Sequence, residues 1–132
     1  MRKDIIIPQS NNVIVAIALE SDQPKEWKAY IINLNQEEIK NVMITSSGKT
    51  PDGAGTSVLR HFIESIYPNT AIPFELVTDE LLAIENTFFV TYYIQDLIHD
   101  FESEFKPDHF EEDRLVNIPV LNKKGAIVQR SI

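Results

Sequence analysis

The chain has 132 residues, 43% of them hydrophobic and 24% charged, the balance of a single soluble globular domain spanning 1–132. Cysteine is absent, which excludes disulfide frameworks, thiolate metal sites and cysteine nucleophiles. With 20 acidic against 12 basic side chains the formal net charge is -8, a field that repels phosphate backbones and anionic lipid and so argues against nucleic acid or a membrane as partner.

The opening stretch Met1–Pro8 starts basic, but its apolar run is three isoleucines long. An export signal needs a core of about 7–15 apolar residues. The run Val13–Leu19 falls far short of the roughly 20 residues that cross a bilayer as a helix. The cytoplasm is therefore the expected compartment. From residue 12 onward the dominant pattern is a succession of short β-branched and aromatic runs between polar turns. Asn12–Glu20 is the first, closed by Ser21-Asp22-Gln23-Pro24, and Trp27–Leu34 the second, closed by Asn35-Gln36-Glu37-Glu38. Ile39–Ser46 follows, ending in a Gly/Pro-rich loop from Ser47 to Gly55. The segment Thr56–Ile66 fits either a helix with Leu59, Phe62, Ile63 and Ile66 on one face, or a strand. Its β neighbours and the stop at Pro68 favour the strand.

A helical turn is expected at Thr78–Leu82, capped by Thr78 or Asp79. Asn86–Gln95 is the strongest strand signal, built around Phe88-Phe89-Val90-Thr91-Tyr92-Tyr93-Ile94. In Asp100–Lys106, Phe101 and Phe105 alternate with Asp100, Glu102, Glu104 and Lys106, as a strand with one wet face requires. Leu115–Ile118 and Ala126–Gln129 complete the set, the latter after a turn at Lys124-Gly125. Seven to nine short strands and no room for long helices predict an all-β fold, a two-sheet β-sandwich that is immunoglobulin-like in the broad sense.

Few residues suggest chemistry. Ser46-Ser47-Gly48-Lys49-Thr50 resembles the end of a phosphate-binding loop, but Met43 stands where that motif needs glycine, and Pro51-Asp52-Gly53 follows where it needs a helix. The segment reads as a turn. The acidic stretch 96–113 contains His99, Asp100 and His109, a weak candidate set for a divalent cation, without the spacing of a known ligand motif. Solvated charge explains it better. His61 among apolar residues could act as a general base, yet no strained Gly-x-Ser-x-Gly elbow accompanies it. Trp27 suits the interior of a sandwich, with a surface binding anchor as the other reading.

Taken together, Glu26–Leu34, Ser46-Ser47-Gly48 with Asp52-Gly53, Thr56–Phe62 and Asn117–Gly125 resemble a family of small uncharacterised bacterial proteins. Some of these carry the label phenylalanyl-tRNA synthetase alpha subunit. The resemblance implies no assigned chemistry and no cofactor. The Phe-Arg-x-Glu motif of a class II synthetase is not found in the sequence, nor is its Gly-rich motif ending in Glu-Arg.

Strands apolar on both faces in so short a chain leave surface for a partner, because two stacked sheets hide only their inner faces. The expected function is a non-catalytic protein-interaction module, self-associating, with Phe89, Tyr93, Tyr30 and Ile32 as candidates for the leftover face. The alternative is a small hydrolase or divalent-metal enzyme using His61 or the acidic stretch. A further possibility is pairing of Asn12–Glu20 or Asn86–Gln95 with another protein's strand.

Overall fold

Alternating burial along the strands sorts their side chains into two layers. The computed structural model describes residues 12–111 and 114–131, with backbone alone at His109 and Phe110. The stretch Met1–Pro8 therefore lies outside the described residues. The elements are β1 (Val13–Asp22), β2 (Lys25–Asn33), β3 (Ile39–Lys49), β4 (Leu59–Ile66), β5 (Thr70–Val77), the single-turn helix α1 (Asp79–Leu82) and β6 (Glu85–Ile94). Then come β7 (Leu97–Phe105), a 3-10 turn (Pro107–Phe110), β8 (Val116–Ile118), β9 (Lys123–Ile127) and β10 (Gln129–Arg130). They form two antiparallel five-stranded sheets, in the orders β5-β2-β1-β9-β8 and β10-β7-β6-β3-β4. The protein is thus an all-β sandwich. Among the described residues no helix is long and apolar enough to cross a membrane.

The main core lies between the sheets. Val13, Val15 and Ile17 of β1 and Trp27, Ala29 and Ile31 of β2 meet Val42 and Ile44 of β3, Phe88, Val90 and Tyr92 of β6, and Phe101 and Phe105 of β7. Each is the inward half of a period-two pattern. The chain changes sheets at Val128, whose N–H donates to the Val15 carbonyl (2.8 Å), so β9 pairs with β1 and β10 with β7. Arg130 secures that crossing by donating to the Val13 carbonyl (2.6 Å) and lying over the Phe101 ring, 3.9 Å from its centroid.

Segment 56–66 resolves as strand from Leu59 onward, and Thr78 caps α1 by accepting from the Leu81 N–H. Three expectations need correction. β3 runs on to Lys49, so the loop read from Ser47 begins only at Thr50, where Thr50 hydroxyl contacts to Asp52 and Ala54 hold a tight turn. Lys124-Gly125 lies inside β9, and the preceding turn is at 119–122. β5 escapes a reading by pattern because Pro68 and Pro73 suppress the strand signal. At a sheet edge a proline is tolerated, since its missing N–H would point away from the neighbouring strand. Both segments proposed for pairing with a foreign strand are interior: β1 lies between β2 and β9, and β6 between β3 and β7.

Gly125 is fixed by close approach. A Cβ there would lie 2.2 Å from the Ile17 carbonyl oxygen and 2.9 Å from Ala18 Cα, both backbone atoms of the paired strand. Gly125→Ala is expected to destabilise the fold by about 2–3 kcal/mol, measured by urea unfolding.

Candidate functional site

The two outer faces differ. On the first sheet, Ala16 and Ala18 of β1 and Tyr30 and Ile32 of β2 point away from the main core, yet they are buried in a second cluster with Ile118. Ile14, Leu34, Ala71 and Leu121 pack around them. Tyr30 and Ile32 are therefore covered by their own chain. Trp27 is an inward residue of the main core. Of the five residues considered for a binding surface, Trp27, Tyr30 and Ile32 are buried, Tyr93 is half-buried and Phe89 is exposed.

A hydrogen-bonded trio closes the covered side. Tyr30 donates to Glu20 Oε2 (2.7 Å), while Lys123 Nζ donates to Glu20 Oε1 (2.9 Å) and lies 3.5 Å from the Tyr30 hydroxyl. The trio joins β1, β2 and β9. Burial alone would raise the Glu20 pKa, but the hydrogen bonds from Lys123 and Tyr30 and the charges of Lys123 and Lys28 outweigh it, and the net direction is downward. Burial and the Glu20 carboxylate raise Tyr30, and the hydrogen bond to Glu20 raises Lys123. Because the folded carboxyl titrates below its ordinary value of 4.5, its contribution is full above that pH and disappears as pH falls through the lowered value. Tyr30→Phe is expected to cost about 1 kcal/mol at neutral pH and to reduce the acid-induced loss of stability, read from urea titrations between neutral and acid pH.

The outer face of the second sheet is assembled by cross-strand register. Met43 stands opposite Phe62 of β4 and Thr91 of β6, while Thr45 stands opposite Arg60 and Phe89. Continuing into β7, Phe89 faces Glu102, Thr91 faces Asp100 and Tyr93 faces Ile98. Directly paired residues share a face, so Phe62, Met43, Phe89, Tyr93 and Ile98 form one apolar patch. Phe62 and Ile98 are each 60% exposed, Met43 44% and Phe89 42%. Arg60 and Glu64 flank the patch on β4, and Asp100, Glu102 and Glu104 on β7.

His61 points to the other side of β4. Its Nε2 lies 2.9 Å from Glu75 Oε1, and the same oxygen accepts from the Ser46 hydroxyl at 2.7 Å. Glu75 comes from β5, so this contact bridges the open edge between the sheets, with the Phe74 ring edge-on to both His61 and Phe88. A serine nucleophile needs its hydroxyl on the imidazole and a carboxylate behind that imidazole. Here the carboxylate occupies the middle position and binds both neighbours, so the trio ties two sheets together.

The acidic stretch divides in the same way. His99 is stacked on the Tyr92 ring (centroids 5.3 Å apart, planes 15° apart), whereas adjacent Asp100 is exposed on the opposite face. The side chain of His109 and residues Glu112 and Asp113 lie outside the described residues. Among the described residues no group of three His, Asp or Glu side chains converges as a metal site.

Sequence pattern does not single out Met43, Phe62, Ile98 or Glu75. The ambiguity of 56–66 obscures the side on which Phe62 lies, and the weak strand signal of β5 hides Glu75. Comparison with protein families, characterised proteins and solved structures finds no match for this chain.

Proposed function

We propose that this chain is a non-catalytic protein-interaction module of the cytoplasm that associates with copies of itself through its second sheet. The observation that carries this reading is the unequal cover of the two outer faces. At the centre of the first sheet's outer face Ala16, Ala18, Tyr30 and Ile32 are buried with Ile118. The exposed apolar residues of that face, Leu76, Val116 and Ile127, lie on β5, β8 and β9, whereas Met43, Phe62, Phe89 and Ile98 stand together in water. A contiguous apolar patch rimmed by charge is what a protein contact leaves on a soluble surface. The choice of a second copy as occupant rests on the rim. Arg60 and Glu64 bring both signs to one strand, and a two-fold contact requires such a self-complementary surface. A partner selected simply to offset the net charge would need no positive residue there.

Sedimentation velocity from about 10 μM to about 1 mM, the range in which small interfaces dissociate, is expected to show a concentration-dependent dimer. Phe62→Lys, which puts a charge at the β4 margin of the patch, is expected to shift the population to monomer. A wild-type chain that stays monomeric throughout that range overturns the reading.

A further inference from the structure

We infer that the second copy is joined through β4, edge to edge, so that two second sheets become one continuous ten-stranded sheet across a two-fold axis at Phe62. The inference rests on the self-association proposed above and specifies how the copies meet.

Among the described residues, β4 is an outermost strand, paired with β3 on one side only. It has eight residues, Leu59–Ile66, with neither proline nor glycine. The other sheet edges are blunted. β5 carries Pro73 at a register shift, β8 has three residues and β10 has two. Short strands, prolines, bulges and edge charges keep an exposed edge from pairing with another chain; β4 has none of the first three, and its two charges, Arg60 and Glu64, are of opposite sign. Its unpaired N–H and C=O groups can be satisfied by another strand.

The sequence of β4 selects that strand. Burial alternates along it, with Arg60, Phe62 and Glu64 exposed on the outer face and His61, Ile63 and Ser65 half-buried on the inner one. When two copies of β4 run antiparallel about Phe62, residues whose numbers sum to 124 stand opposite each other. Phe62 then meets Phe62, and Arg60 of each copy meets Glu64 of the other, giving two cross-strand ion pairs around an aromatic pair. On the inner face His61 meets Ile63. Neither Arg60 nor Glu64 has an ion-pair partner among the described residues, so both are available. Opposite charges directly across an antiparallel pair are favourable and like charges unfavourable, so the order of charges sets the register. The patch of Met43, Phe89 and Ile98 on each copy is thereby brought onto one face of the joined sheet.

The test is a pair of charge reversals. Arg60→Glu alone sets two carboxylates against each other at both cross-strand contacts, and Glu64→Arg alone sets two guanidinium groups against each other at both. Each is expected to weaken association roughly ten- to thirtyfold. Mixing the two folded variants places opposite charges at both contacts and is expected to give a mixed dimer, because the carboxylates of one chain then face the guanidinium groups of the other. The double exchange R60E/E64R is expected to restore the self-dimer. Val116→Lys, on β8 at the far edge of the first sheet and outside the patch, is expected to leave the dimer intact. If a wild-type dimer ignores both reversals, or dissociates in Val116→Lys, the copies meet through another surface, and the edge assignment falls while self-association stands. If the wild type is monomeric, both fall together.

Discussion

Two stacked sheets have four faces, and packing them together hides two. The remainder of this molecule follows from that limit. β1 and β2 are apolar on both sides, so hiding their inner residues against β6 and β7 leaves Ala16, Ala18, Tyr30 and Ile32 to be covered by something else. The chain covers them with its own later residues, Ile118 and Leu121, and locks that cover to β1 and β2 through Lys123, Glu20 and Tyr30. Among the described residues no equivalent cover lies over Phe62, Met43 and Phe89. The centre of one outer face is covered within the described chain and the centre of the other is not.

Strand content is legible in the sequence because it depends on local alternation. Phe101 and Phe105 alternating with acids, or the unbroken β-branched and aromatic run Phe88–Ile94, declare a pleated ribbon without reference to any other part of the chain. What covers a face is not local. Tyr30 and Ile32 are as apolar as Phe89 and Tyr93 and look equally available in sequence, but Ile118, some 86 residues after Ile32, arrives over the first pair. Nothing in the spacing around residue 30 encodes that arrival. Gly125 misleads for a related reason. Its glycine looks like a turn when read alone, and is required in fact by the backbone of β1 pressed against it.

The chemistry suggested by composition disperses on folding for a geometric reason. Adjacent residues on a strand face opposite ways, so a dense run of acids and histidines is split between two environments. His99 stacks on Tyr92 while Asp100 stands in water. Residues far apart in the chain are brought together instead. Ser46, His61 and Glu75 come from three strands, and their hydrogen bonds satisfy a partly buried carboxylate where the two sheets part.

The crossover at Val128 has a consequence for how the molecule is made. β1 precedes every other described strand in the order of synthesis, yet its neighbour β9 is more than 100 residues downstream. Until that tail emerges, one edge of the nascent β1 is bare and its outer alanines face water. Such long-range pairing is slow because the intervening chain must be brought to order first. The half-made protein therefore has to wait, with a greasy strand exposed, for a segment that leaves the ribosome long after it.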